Sequence, residues 1–235
     1  EQAIAREALR LAFEQHKNMA VGLKGVQQER TISDAFSQSM TGESLIDLIS
    51  LNLIIGSGGA LSHSPRRHQA ALMTIDAFLP EGITRLAVDS IFMMPHLGVL
   101  STVHEKSATE VFNKDCLIPL GLCIAPLGVG KEGQKVITIK LQRKDEKPKE
   151  VVVKFGEIKL LPLGQEEEAK IMLHPEKGFD VGEGRGKSLE ATVFGGIVGL
   201  VIDCRGRPFS LPENKSKRME KLNEWFTAMN LYPEI

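Results

Sequence analysis

A glycine-rich turn at residues 56–59 constrains the fold of this chain more than any other stretch. Residues 52–65 read NLIIGSGGALSHSP. The apolar run at residues 53–55 is too short for a helix and is flanked by turn residues, so it predicts a buried strand. Three residues of the turn lack a Cβ atom and can let a ligand approach the backbone: Gly56, Gly58 and Gly59.

The residues after the turn indicate that a helix begins there. Ser62 or Ser64 can cap this helix, and Pro65 suits its first turn. A strand, a glycine turn and a helix start form a common nucleotide-binding layout. The spacing matches neither the dinucleotide fingerprint nor the triphosphate loop, and no Lys follows the glycines. Two interpretations stay open: a plain strand–helix connection, or a site for the flat or sugar portion of a ligand.

Composition excludes several classes of partner. The chain has 235 residues, enough for one large domain or two small ones. A net charge of −1 and 5% aromatic residues favour neither nucleic acid nor an anionic membrane as partner. The three Cys form no CxxC pair, which is typical of core thiols in a reducing compartment. No signal peptide and no apolar run of about 18 residues is visible, so we expect a cytoplasmic protein. Because the first residue is Glu, we expect a piece of a longer protein.

The first half of the chain predicts alternating helices and strands. Apolar residues at helical spacing predict an amphipathic helix over residues 2–21: Ile4, Ala8, Leu11, Ala12 and Met19. Further predicted elements are helices at residues 34–38, 44–49, 66–78 and 105–113, and a strand at 83–89. In the helix predicted at 105–113, Ala108, Val111 and Phe112 are expected to face inward. Met93 and Met94, before it, are expected to pack in the core.

The pattern changes at residues 128–133, which predicts a domain boundary. We expect an α/β domain over residues 1–130 and a β-rich domain with a terminal helix over residues 131–235. Alternating residues predict a hairpin from 135–142 and 149–155, then strands at 157–161, 169–173, 189–194 and 197–203. A helix follows at 214–229, with four residues on one face: Met219, Leu222, Phe226 and Met229. The glycine-rich loop at 177–187 can wrap an anion or be a mobile loop, and both interpretations stay open.

No catalytic group of residues is recognisable. The chain has no Ser/His/Asp signature, no HExxH and no close carboxylate pair. His63 and His68 are five residues apart, a poor match to a helical metal site, so we predict no metal ligands. The turn at 203–208 is expected to hold a structural Arg–Asp pair.

Four separated segments resemble one protein family: residues 25–32, 56–67, 89–100 and 195–208. This is the glutamate mutase accessory family called MutL or GlmL, which is distinct from the mismatch-repair protein of the same name. The resemblance spans essentially the whole chain. Members of this family are longer and belong to the actin-like ATPase superfamily. They are encoded beside adenosylcobalamin-dependent aminomutases, and the resemblance implies a role as chaperone or reactivating factor.

The resemblance implies a fold and a site. The fold is α/β, half of an actin-like ATPase lobe of ribonuclease H-like type, followed by a β-rich domain with a C-terminal helix. Residues 90–100 match the helix after the next strand of that lobe. Four residues match the superfamily's adenosine motif, and two that follow complete the candidate cofactor-binding set: Gly56, Ser57, Gly58 and Gly59, then Ala60 and Ser62.

One departure limits the activity that the resemblance implies. The superfamily's Asp-Gly-Thr phosphate hairpin is missing, so the chain resembles a C-terminal portion that holds half of a nucleotide site. We therefore expect ATPase activity only in the intact protein, whose cofactors would be ATP or ADP with Mg²⁺.

Three functions remain as hypotheses. The first is the C-terminal part of an ATP-binding chaperone for an adenosylcobalamin-dependent aminomutase. The second is an interaction module that binds no nucleotide and contacts mutase subunits through residues 130–235. The third is a small-molecule kinase of the same superfamily, which would need an acidic base near the γ-phosphate, and no such motif is evident.

Overall fold

The computed structural model describes residues 1–20, 45–144 and 146–232. Within these ranges the protein is mixed α/β, with two sheets and a C-terminal helix. The helices are α1 Gln2–Met19, α2 Gly59–Ser62, α3 Arg67–Phe78, α4 Met94–Val111 and α5 Lys215–Ala228. The strands are β1 Leu53–Gly56, β2 Gly82–Asp89, β3 Leu117–Ala125, β4 Lys135–Arg143, β5 Lys149–Lys154, β6 Ile158–Leu161, β7 Glu168–Pro175, β8 Leu189–Phe194 and β9 Gly199–Asp203.

The first sheet has five strands in the order β1-β2-β3-β9-β6. The pairs β1–β2 and β3–β9 are parallel, whereas β2–β3 and β9–β6 are antiparallel. Strands from both sides of residue 130 therefore meet in one sheet. The division into two domains at that residue stays a prediction.

The second sheet is antiparallel, with the order β5-β4-β7-β8. Its β4–β5 hairpin confirms the one predicted from the alternating residues. The alternate residues of β4, Ile137, Ile139 and Leu141, are all buried in one core, as the alternation of side chains along a strand requires.

The first sheet is buried on both faces, which gives the fold three layers. In β3, Leu120 and Cys123 belong to the apolar core shared with α3 and α5, whereas Leu122 and Ile124 belong to the core shared with the second sheet. A strand covered on both faces reads as a continuous apolar run. This is why residues 116–126 show no alternation in the sequence.

Helix α1 is present as predicted, but the five apolar residues predicted to face inward are all exposed, and Leu9 and Phe13 pack inward in their place. Ile4 and Met19 are 76% and 74% exposed, and no residue of α1 is buried. Polar residues of α1 also contact α3, where Gln2 donates to Gln69 at 2.8 Å and Arg6 donates to Asp76 at 3.1 Å. On the same side of α1, the ring centre of Phe13 lies 5.0 Å from that of Phe78 of α3.

Residues 90–116 leave the body of the protein between β2 and β3, and we call them the helical arm. The arm contains α4, kinked at His104, and a π-helical turn, Phe112–Cys116. Helix α4 begins at Met94 with Pro in its first turn, ahead of the predicted start near residue 105. Three of the arm's residues are buried, and they pack against one another: Leu97, Ala108 and Cys116.

Some sequence predictions are wrong in detail. Met94 is 37% and Val111 39% exposed, because the arm packs mainly on itself. On α5, Trp225 is the buried aromatic residue and Met219 is 52% exposed. Residues 45–49 form bends and a turn rather than a helix. The segment 25–32 and the predicted helix at 34–38 lie outside the described residues.

Candidate functional site

The glycine turn lies where two parallel strands end. Strand β1 ends at Gly56, opposite Val88 of β2, and Ser57 and Gly58 then lead into α2. Because β1 and β2 run in the same direction, the residues after both strands meet at one edge of the sheet. In open α/β sheets, ligands bind at the carboxyl ends of the strands.

The glycines of the turn have two different roles. A Cβ on Gly56 would lie 2.8 Å from Cδ1 of Leu61, so this glycine allows α2 to pack on the strand. Gly58 has φ +94°, which only glycine adopts readily, and a Cβ on Gly58 or Gly59 would have no atom within 4 Å. The backbone at these two residues is therefore open to a ligand.

The two serines of the candidate set are hydrogen-bonded inward. The hydroxyl of Ser57 donates to Oδ2 of Asp89 at 3.3 Å, and that of buried Ser62 donates to the main-chain oxygen of Asp89 at 2.5 Å. Ser62 therefore fixes the turn to the end of β2. Ala60, between them, is exposed.

The prediction that Ser62 or Ser64 caps the next helix is wrong. Helix α3 begins at Arg67, after a separate short helix, α2, and the hydroxyl of Ser64 donates back to Ala60. Arg67 in turn donates to the main-chain oxygen of Ser62 at 2.5 Å, which connects the start of α3 to the turn.

Asp89 is the functional candidate that the sequence reasoning missed. It is the last residue of β2 and its side chain is fully buried. Burial alone would raise the pKa of this carboxyl, but hydrogen bonds from the main-chain N–H groups of Met94, Met93 and Ile91 and from the Ser57 hydroxyl hold it below the usual value. A charged Asp89 therefore joins the glycine turn to the start of the arm. Its position at the end of a strand parallel to β1 is the signal that could have identified it.

The residues that are present fit one side of a nucleotide site. The open backbone at Gly58 and Gly59 can take the flat or sugar portion of a ligand. Two cavities, of about 90 and 280 Å³, lie along α1 and away from the turn. At Gly58 and Gly59 the backbone itself is the open surface.

The second glycine-rich loop, at residues 177–187, is arranged around its own carboxylate. Oδ1 of Asp180 accepts hydrogen bonds from the main-chain N–H groups of Gly182 and Gly184, at 2.8 and 2.9 Å. These two N–H groups are therefore satisfied internally. The structure supports an ordered turn at this point more than a cradle for an external anion.

The turn after β9 holds a buried ion-pair network, as the sequence predicts. Asp203 accepts from Arg205 at 2.9 Å and from Arg207 at 2.8 Å, and Arg205 also donates to Asp76 of α3 at 2.7 Å. The guanidinium of Arg205 lies 5.2 Å from the ring centre of Trp225. The donors and acceptors satisfy one another, so the network has a structural role.

Comparison with known proteins gives one match. The model of a protein family described as MutL protein matches residues 1–116. The similarity to this family covers 116 of the 235 residues, which we call the MutL segment. The MutL segment contains the glycine turn, Asp89 and the helical arm, and it ends at Cys116, the last residue before β3. No curated protein and no solved structure is significantly similar to the chain.

Two further properties concern the residues that the structure describes. None of their helices combines the length and the apolar character needed to cross a bilayer. They also contain no group of three or more His, Cys, Asp or Glu side chains that could hold a metal ion.

Proposed function

We propose that this chain is the C-terminal part of an ATP-binding chaperone or reactivating factor for an adenosylcobalamin-dependent aminomutase of the glutamate mutase type. The observation that carries the proposal is the MutL family segment, which contains a glycine turn with open backbone at the carboxyl ends of two parallel strands. The resemblance to actin-like ATPases supplies the assignment of the ligand as adenosine nucleotide.

In this proposal the chain supplies one wall of the nucleotide site. Gly58 and Gly59 lie against the adenosine portion, where a side chain would take up the ligand's space. Ser57 and Ser62 hold the turn in register with β2 through Asp89. The remaining lobe of the intact protein provides the residues around the phosphates and Mg²⁺. Nucleotide turnover there opens and closes the two lobes, and this movement loosens inactive cobalamin from the mutase.

A thermal-shift titration with ADP and ATP, with and without Mg²⁺, tests the nucleotide site. A ligand at about tenfold over its dissociation constant adds roughly 1.4 kcal/mol, which raises the Tm of a chain of this size by about 3–5 °C. Gly59→Val fills the space above the turn without backbone strain, because its φ is ordinary and no atom lies within 4 Å. We expect this variant to fold and to lose the shift.

Gly178→Val is the matched control, since Gly178 also has an ordinary φ and no atom within 4 Å of an added Cβ. It is expected to keep the nucleotide shift. An equal loss in both variants, or no shift with millimolar nucleotide in the unchanged chain, argues against a nucleotide site on the turn.

The partner is tested separately, by size-exclusion chromatography of the chain with purified subunits of an adenosylcobalamin-dependent glutamate mutase. Co-elution is expected, and independent elution at micromolar concentrations of both proteins counts against a mutase-associated role.

A second candidate is an interaction module that binds mutase subunits and no nucleotide, with the contact surface on the helical arm and not on residues 130–235 as predicted above. The observation that favours it is the helical arm, which exposes several large apolar side chains: Ile91 58%, Phe92 54%, Val99 72% and Val103 76%. Exposed apolar patches of this kind are typical of protein–protein contact surfaces. Co-elution with the mutase without any nucleotide shift would favour this candidate over the first.

A further inference from the structure

The geometry points to Asp89 as a positioning residue that transmits nucleotide occupancy of the glycine turn to the helical arm, an inference that rests on the proposed nucleotide site. Three segments meet at its carboxylate. Oδ2 accepts from Ser57 of the turn at 3.3 Å and from Met94 N at 2.9 Å, and Oδ1 accepts from Met93 N at 3.2 Å.

The arm depends on this carboxylate for its direction. The first four N–H groups of a helix have no partner within the helix, and Asp89 takes that of Met94, the first residue of α4, together with that of Met93. The negative charge of Asp89 also interacts favourably with the positive, N-terminal end of the helix dipole. Between Asp89 and α4, Phe92 has φ +57°, a left-handed conformation that a bulky residue rarely adopts. The two hydrogen bonds beyond Phe92 hold the chain in this conformation.

The base of the arm is fixed on the same side of the sheet. The N–H of Ser90 donates to the main-chain oxygen of Cys116 at 2.9 Å, which joins the two ends of the arm. The three buried residues of the arm pack on one another and belong to neither of the two main cores. A small movement at Asp89 is therefore converted into a larger displacement of residues near Val103.

The bond from Ser57 is the part of this arrangement that a ligand can change. At 3.3 Å it is long for an O–H···O hydrogen bond, whose usual range is about 2.5–3.0 Å. A ligand against Gly58 fixes the backbone of the adjacent Ser57. This shortens the bond to Asp89 and shifts the carboxylate that holds Met93 and Met94.

The experiment uses Val103→Cys labelled with bimane, because Val103 is 76% exposed and the three native cysteines are buried. ADP binding is measured by calorimetry and the response of the arm by bimane emission. We expect a saturable emission change whose midpoint equals the calorimetric dissociation constant. In the Asp89→Asn background, we expect the emission change at saturating ADP to be reduced at least fivefold.

Asp115→Asn is the matched control, since Asp115 is an exposed acid on the same arm, and it should keep both signals. A second measurement on the unchanged chain does not depend on how the variants fold. ADP should slow amide hydrogen exchange of Met93 and Met94 about tenfold or more.

The outcomes distinguish this inference from the proposed function. Absence of ADP binding in calorimetry overturns both. Binding of ADP without an emission change and without slower exchange at Met93 and Met94 overturns the role of Asp89 alone. A full emission change in a folded Asp89→Asn variant also overturns it.

Discussion

Arg205 binds the carboxylate of Asp203 through two of its nitrogens, Nε and Nη2, at 2.9 Å each, with both side chains almost fully buried. Burial would raise the pKa of Asp203, but the charges of Arg205 and Arg207 hold it well below its usual value. Because Nη2 of Arg205 also donates to Asp76, the turn after β9 is connected to α3. The network therefore joins the sheet to the helical layer.

Removing one partner from this network should be costly. Arg205→Ala leaves buried Asp203 with Arg207 alone and Asp76 with the partly exposed Arg6 alone, and we expect the free energy of unfolding to fall by about 3–5 kcal/mol. Arg6→Ala is the control, because Arg6 is 35% exposed and pairs with Asp76 near the surface. It should cost less than about 1 kcal/mol. Urea unfolding followed by circular dichroism measures both, and equal losses would contradict the account.

The protein should lose stability in acid through Asp203 and Asp89. Both carboxyls have a pKa below their usual value in the folded protein. A lowered pKa stabilises the fold above the unfolded-state pKa of about 3.9, and this contribution disappears as the pH falls toward the folded-state value. We expect a nearly constant Tm from pH 7 to 5 and a steep fall below about pH 4. Asp89→Asn should make that fall shallower, and an unchanged slope would contradict the role given to Asp89.

The three thiols should be unreactive in the folded protein. Burial raises the pKa of Cys123 to about 12, burial and the charge of Asp203 raise that of Cys204, and burial and the charge of Asp89 raise that of Cys116. Because the thiolate is the reactive form, iodoacetamide at pH 8 should modify none of them at an appreciable rate. In urea all three should react, and mass spectrometry gives the number of modified cysteines. Rapid modification of Cys123 in the folded protein would contradict its burial in the core.

Close approach of β3 and β9 should make Gly121 intolerant of any side chain. A Cβ at Gly121 would lie 1.9 Å from the main-chain oxygen of Gly199, and its φ is +139°. Gly121→Ala should lower the free energy of unfolding by about 3 kcal/mol. Gly98→Ala in α4, where no atom lies within 4 Å, should instead be neutral or stabilising by up to about 1 kcal/mol. Thermal and urea unfolding of the two variants test this contrast.

Local patterns in the sequence predict the elements of this fold well. Leu53–Gly56, Arg67–Phe78 and the β4–β5 hairpin lie within two residues of their predicted bounds. The period of apolar residues and the positions of glycine determine these elements, and both are readable without tertiary information.

Partners distant in sequence were not predictable in this way. The parallel pairing of β3 with β9 joins residues about 80 apart, and no local pattern specifies it. Helix α1 shows the same limit, since the face that packs inward contacts residues about 70 positions away, such as Asp76 with Arg6. No sequence motif identifies Asp89, because its role follows from the parallel pairing of β1 with β2. The glycine turn itself was predictable, and its use as a nucleotide site stays a proposal.

The most direct test of the central claim is photo-crosslinking with 8-azido-ADP, followed by tryptic digestion and mass spectrometry. Trypsin releases residues 31–66 as one peptide, since Arg30 and Arg66 bound a segment without Lys or Arg. The account predicts an adduct within residues 56–62 that excess ADP prevents and that Gly59→Val removes while Gly178→Val keeps it. Adducts found only elsewhere, or an adduct at the turn that excess ADP leaves unchanged, would contradict a nucleotide site at this turn.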